Sequence, residues 1–191
     1  KGYHAPNAAK MNSPSNDQSP SQQAALLHRS GKLEEAERLY LAALAADERD
    51  VTALHFLGVL RAQQGRMAEA LEKIDAARAL APDDAEIRLN RANVLKSTGR
   101  PEDALAEYDQ ALALKPGWAQ AENNRGTLLK ALGRFEEALA AYDRALAANP
   151  NNPEALNNRG SVLEDLKRPA EALAAYDQAL RLAPRFAAAF N

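Results

Sequence analysis

Residues 119–152, AQAENNRGTLLKALGRFEEALAAYDRALAANPNN, hold two apolar stripes at helical spacing with a glycine between them. Ala121, Leu128, Leu129 and Leu132 make the first stripe, which Gly133 ends. Phe135, Ala138, Leu139, Tyr142, Ala145 and Leu146 make the second, ended by Asn149-Pro150. Neither amphipathic helix can hide its stripe alone, and each is too short to be stable in isolation. The missing partner surface must come from stacking, and the chain supplies further copies. Pro82, Pro116, Pro150 and Pro184 stand 34 residues apart, as do Ala70, Ala104, Ala138 and Ala172. A period in that range marks stacked supersecondary units rather than one closed core.

Working outward, full units occupy 51–84, 85–118, 119–152 and 153–186. Upstream, 19–50 is a degenerate first unit, with Ser19 as N-cap, Pro20 at the first helical position, Gly31 as a stop and a second helix from about Leu33 to Asp47. Downstream, 187–191 start a further unit: FAAAFN, from Phe186 to Asn191, begins another first helix and breaks off without a polar capping helix. A longer parent is the expectation there, together with an end able to dock on a second copy. Residues 1–18 carry no apolar periodicity and read as a tail that should lie against another surface. Met11 suits a native start, which would make 1–10 a cloning remnant.

Gly31, Gly65, Gly99 and Gly133 separate the paired helices, where closing the first helix calls for a left-handed residue. Lys167 takes the fifth such position. In that conformation it would cost about 1 kcal/mol relative to glycine, so a differently built last turn is one outcome.

Composition bounds the rest. Of 191 residues, 46% are hydrophobic but only 5% aromatic, so the layers between helices must be thin and Ala-rich. A net charge of −2 without a basic stripe argues against nucleic acid. With no cysteine there is neither a disulfide framework nor a thiolate metal site. No apolar run reaches the roughly 18 residues of a membrane span, and the N-terminal stretch lacks the apolar core of a signal peptide, which together read as soluble and cytoplasmic.

The coincident registers resemble a tetratricopeptide repeat array over about Ser19 to Asn191. Small residues mark the first helix's crossing point (Gly58, Ala92, Gly126, Gly160), and a large residue follows on the second helix (Ile74, Tyr108, Tyr142, Tyr176) before Ala77, Ala111, Ala145 and Ala179. The resemblance implies an all-α, right-handed α-solenoid of antiparallel helix pairs, whose first helices line a concave groove that binds peptides or proteins. One departure stands out: the family's large aromatic early in the first helix is Leu54, Arg88, Glu122 or Leu156 here.

Polar residues on apolar stripes need partners. Arg91, Arg125 and Arg159 fall where the family usually has leucine, and Asp75, Asp109 and Asp143 lie 16 residues before them on the preceding second helix. Where the later position is Leu57, the earlier one is Leu41. Since a buried cation is costly unless paired, this joint change predicts Arg-to-Asp contacts across unit boundaries.

The other side of each first helix should face the groove. It offers Thr52, His55, Phe56, Val59 and Gln63; then Glu86, Leu89, Asn90, Asn93 and Lys96; then Gln120, Asn123, Asn124, Thr127 and Lys130. The last unit adds Glu154, Asn157, Asn158, Ser161, Glu164 and Asp165, acids where a carboxylate clamp would need a cation. Asn90, Asn124 and Asn158 share one register and predict a ladder. An amide can donate to a carbonyl and accept from an N–H, so a row of them can hold an extended backbone with little regard to its side chains. Asn90, Asn93, Lys96, Asn123, Asn124, Lys130, Asn157, Asn158, His55 and Phe56 are therefore the candidate peptide-binding residues. The competing reading is that Asn is merely tolerated on a solvated face or bonds locally.

His4, His28 and His55 share no metal-ligand spacing, the tyrosine row matches a packing register, and Trp118 should cover a stripe end. No nucleophile motif, phosphate-binding loop or paired catalytic carboxylates can be recognised, so no catalytic residue, cofactor or metal is assigned. The leading function is a noncatalytic scaffold for a protein or extended peptide. The alternative is a substrate-presenting arm: the Asn register and the NNRG and YDRAL wording resemble the repeat arm of O-linked N-acetylglucosamine transferases, which implies sugar chemistry outside this chain.

Overall fold

A computed structural model of the chain describes residues 19–183. The expectations for the tail at 1–18 and for the unit begun at 187–191 lie outside the described residues. Ten α-helices and no strand are found among those described. They alternate as first and second helices: α1 (Pro20–Arg29), α2 (Leu33–Ala46), α3 (Val51–Gln63), α4 (Met67–Leu80), α5 (Ala85–Ser97), α6 (Pro101–Leu114), α7 (Ala119–Ala131), α8 (Phe135–Ala148), α9 (Pro153–Asp165) and α10 (Pro169–Leu182). Each first helix packs on its own second helix, and each second helix on the next first helix. The first helices α1, α3, α5, α7 and α9 also touch in sequence, so they form one continuous face. The molecule is an all-α solenoid with a core that runs along its length.

Local chemistry sets the ends of these helices. Ser19 caps α1 in a capping box with Gln22, and the carboxylates of Asp50 and Asp84 and the amide oxygen of Asn152 cap α3, α5 and α9. At the turn after α7, Gly133 adopts φ 72° while Arg134 N–H donates to the Leu129 carbonyl at 2.9 Å, closing a Schellman motif. The last turn is built the same way. Lys167 adopts φ 59°, and Arg168 N–H donates to the Leu163 carbonyl at 2.8 Å. Stacking on both sides fixes the turn geometry and overrides the residue's preference. Leu132, placed on a stripe by its spacing, instead caps α7 and is exposed, because the helix stops at Ala131.

Close approach inside each unit depends on the small residue of the first helix. A Cβ at Gly126 would stand 2.8 Å from Tyr142 Cε1, and one at Gly160 would stand 2.5 Å from Tyr176 Cε1. Tyr108 and Tyr142 are fully buried there, as their packing register predicts. Trp118 packs against the same core and carries Lys115 Nζ 4.2 Å over its ring, which makes it the predicted cover. On α10 the pattern opens: Leu173 is 61% exposed, whereas its counterpart Leu139 is 9% exposed under the following helix.

The polar positions on the stripes pair as their spacing predicts. Arg91, Arg125 and Arg159 each donate Nε to Asp75, Asp109 and Asp143 at 2.6, 2.7 and 2.6 Å, clipping three unit boundaries. Two further pairs occupy the position where the family has an aromatic. Arg88 donates to Glu107 at 3.2 Å, and Arg144 holds Glu122 with bonds of 2.6 and 3.1 Å. At the first boundary, Arg61 donates to Glu37 at 2.7 Å where the later boundaries set Leu105 against Leu129 and Leu139 against Leu163. Hydrogen bonds from Gln64 and Arg61 hold the Glu37 carboxyl below its ordinary range.

Two stability measurements test this account. Lys167→Gly should relieve the left-handed strain and stabilise the chain by about 1 kcal/mol in urea unfolding. Glu37→Leu alone should cost about 1–2 kcal/mol, because the buried Arg61 loses its shortest carboxylate and keeps Gln64 at 2.8 Å and Glu69 at 3.5 Å, whereas Glu37→Leu with Arg61→Leu restores the apolar boundary and should be neutral or stabilising by about 1 kcal/mol.

Candidate functional site

Helices α3, α5, α7 and α9 carry the predicted binding residues, and the structure sorts them by what they already hold. Asn90 Nδ2 donates to His55 Nε2 at 2.8 Å, Asn124 Nδ2 to Asn93 Oδ1 at 3.2 Å and Asn158 Nδ2 to Asn123 Oδ1 at 3.3 Å. The three register asparagines therefore do not bond one another. Each reaches back to a side chain on the preceding first helix and ties the two helices together. Their Oδ1 atoms accept no hydrogen bond among the described residues.

Burial separates the holders from the presenters. His55 is 4% and Asn123 5% exposed, so these two sit beneath the surface rather than on it. His55 is tilted against Phe56 at 4.6 Å, and Phe56 stacks on Tyr40 at 6.5 Å. Burial pushes the His55 imidazole below its ordinary pKa, with Asp84 and Glu86 pulling weakly the other way. A neutral ring with Nε2 unprotonated is the form that accepts from Asn90. Asn123 also donates to Glu154 at 3.1 Å. Leu89, predicted for this face, is buried in the core instead.

The two lysines part company. Lys130 Nζ bonds Ser161 Oγ and lies 3.5 Å from Asp165, so its charge is balanced across the α7–α9 boundary. Lys96 makes no ion pair among the described residues, because the residue one unit on from it that matches Asp165 is Ala131. Asn157 is half-buried and makes no side-chain hydrogen bond among the described residues.

Tyrosine hydroxyls form a second set that spacing analysis assigned only to packing. Tyr108 donates to Asn93 at 2.6 Å, Tyr142 to Thr127 at 3.2 Å and Tyr176 to Glu164 at 2.9 Å. Burial raises all three phenols, Tyr176 to about 12. They act as neutral donors that brace the first-helix face from behind. For two of the three the signal was present as a 15-residue spacing to a polar partner, Asn93 before Tyr108 and Thr127 before Tyr142, whereas Tyr176 reaches Glu164, 12 residues before it.

Among the described residues no group of three His, Cys, Asp or Glu side chains is placed to hold a metal ion, and no helix is long and apolar enough to cross a membrane. What the face can do is present amides, the Lys96 cation and apolar patches to an elongated ligand.

Comparisons with known proteins agree with this architecture. Residues 22–85 and 123–185 match one family model described as a tetratricopeptide repeat, and residues 61–123 match a second with the same description. Among solved structures, MamA superposes with a TM-score of 0.76 at 22% identity, covering 86% of this chain and 96% of that one. YrrB, described as a TPR protein with an unusual peptide-binding site, gives 0.70 at 24% identity over 86% of this chain and 85% of its own. TTC0263, a thermophilic TPR protein from Thermus thermophilus, gives 0.70 at 26% identity over 87% and 91%. No curated protein matches the chain.

The buried His55 makes stability depend on pH in a direction that can be fixed. Its unfolded pKa lies near 6.5 and its folded pKa lies lower, so between those values the unfolded chain binds more protons. Stability is then fully present above about pH 6.5 and falls as pH drops through that window. Urea midpoints at pH 7.5 and 5.5 should differ more for the native chain than for His55→Gln, whose amide oxygen can still accept from Asn90.

Proposed function

The chain belongs to the tetratricopeptide repeat family, and from that membership we propose that it is a noncatalytic scaffold whose first-helix groove holds an extended segment of a partner protein. The observation that carries this reading is the row of amide oxygens of Asn90, Asn124 and Asn158. Each amide gives one of its two N–H groups to the neighbouring helix and leaves its oxygen without a hydrogen bond among the described residues. Helices packed side by side repeat at roughly 10 Å. That is about three residues of an extended chain. A row of acceptors at this spacing suits backbone N–H groups and places little demand on the sequence bound. Tying the N–H back also fixes each amide before a ligand arrives, which lowers the ordering cost of binding.

In this reading Asn90, Asn93, Asn124, Asn157, Asn158, Lys96 and Phe56 meet the ligand. His55, Asn123 and Lys130 hold those groups in place from beneath or beside. The description of YrrB as a peptide-binding repeat protein supports a groove of this kind.

The test replaces Asn90, Asn124 and Asn158 by alanine and compares partner capture from lysate with the native chain. Capture should fall at least tenfold. Alanine improves helix propensity at each site but leaves the buried acceptors on His55 and Asn123 without a partner, so stability should fall by about 1–2 kcal/mol per site. An intact helical spectrum with unchanged capture would refute the amide row.

A further inference from the structure

The tyrosine register has one exception, and a cleft lies at it. Tyr108, Tyr142 and Tyr176 each send a ring from the second helix to the first-helix face, where the hydroxyl finds Asn93, Thr127 or Glu164. In the unit of α3 and α4 the same position is Ile74, and the residue 15 before it is Val59, so ring and polar partner are both missing. A cleft of about 260 Å³ opens there between α3, α4 and α5. Val59, Ala62, Met67, Ile74 and Val94 supply its apolar walls, and Gln63, Asn90, Asn93 and Ser97 add polar side chains to its lining.

We infer that this cleft receives a phenylalanine side chain of the extended segment held by the groove, with an acidic residue of that segment set on Lys96. The inference rests on the groove reading and specifies its ligand. Three observations bear on the occupant. The sibling units fill the corresponding space with a tyrosyl ring, which shows that a six-membered ring fits between the two helices. Five of the cleft's lining residues are apolar, Val59 among them where Tyr108 and Tyr142 have their polar partners, and such walls suit a phenyl ring. The cleft's lining holds no charged side chain, and Lys96, one turn beyond Asn93 on α5, has no ion pair among the described residues.

The two asparagines complete the complement. Asn90 Oδ1 and Asn93 Nδ2 make no hydrogen bond among the described residues, while Asn90 Nδ2 gives one of its two N–H groups to His55 and Asn93 Oδ1 accepts from Tyr108 and Asn124. One acceptor and one donor, three residues apart on a helix, match the N–H and C=O flanking a single bound residue. The ring would enter the cleft while its own backbone is held at the mouth.

The test uses peptides selected from a random 12-residue phage-displayed library on the full chain, then synthesised with fluorescein and titrated by anisotropy. Selected sequences should share a Phe with Asp or Glu within three positions. Replacing that Phe by Ala should weaken binding at least tenfold. Ile74→Tyr transplants the ring of the sibling units onto a helix pair whose Gly58 leaves the same room, and it should weaken binding at least tenfold with an unchanged helical spectrum. Should Ile74→Tyr fail to melt cooperatively, Val59→Asn with Ile74→Tyr copies the Asn93 and Tyr108 pair entire and takes its place. Lys96→Ala should cost about threefold, and the loss should vanish in about 0.5 M salt. Peptides that bind the tyrosine variant as tightly as the native chain, yet lose binding when Asn90, Asn124 and Asn158 are alanine, would overturn the cleft and leave the groove standing. A library that yields no binder would overturn both.

Discussion

The contact between a second-helix ring and a first-helix glycine governs this molecule. With Gly126 against Tyr142 and Gly160 against Tyr176, the two helices of a unit come close enough that a tyrosyl ring spans the layer and its hydroxyl emerges at the far face. A core built mainly of Ala and Leu has little depth, so such rings are its largest fillers. That thinness has a functional side. Residues buried in the core and residues on the first-helix face are separated by one side chain, so a core exchange such as Tyr to Ile reshapes the surface directly.

Ion pairs act along the solenoid where apolar contact acts within each unit. Arg91, Arg125 and Arg159 clip successive boundaries to Asp75, Asp109 and Asp143, while the first boundary uses Arg61 and Glu37. Pairs of this kind, with a largely buried arginine and, in the three Arg–Asp clips, a half-exposed aspartate, add little net stability over leucines, since desolvation of the arginine and screening by solvent offset the attraction. Their contribution is to register. Identical Leu-on-Leu layers would let one unit slide or exchange against another, whereas a guanidinium that must meet one carboxylate fixes the stacking. The Arg91 cluster, which also draws in Glu107 and Arg88, places this constraint at the centre of the array.

The first-helix face is organised by the same nearest-neighbour logic. Each register asparagine is tethered to the helix before it and Lys130 is neutralised by the unit after it. Lys96 lacks such a partner among the described residues because Ala131 stands where Asp165 does. Polar groups there are half satisfied by protein and half available. Such tethers fix the amides in place, which in the proposed groove would lower the ordering cost of binding.

The sequence by itself determined the architecture and much of its wiring. A 34-residue period in Pro, Ala and Gly fixes paired helices, and the joint change of Leu41 and Leu57 with their Asp and Arg counterparts exposed the boundary clips without coordinates. These features are legible because a repeat compares itself: one register read several times separates packing from accident. Only the tertiary structure decided what the asparagines do. Spacing placed Asn90, Asn124 and Asn158 in one row, but which end of an amide turns inward depends on a partner 31 or 35 residues away in the preceding unit. Spacing likewise put His55 and Asn123 on the face, whereas the crossing of α3 and α7 with their neighbours buries both. Lys167 makes the same point for the backbone. Its sequence preference resists a left-handed turn, and the packing of α9 and α10 on either side imposes one, because contacts summed over two helices outweigh the preference of a single residue.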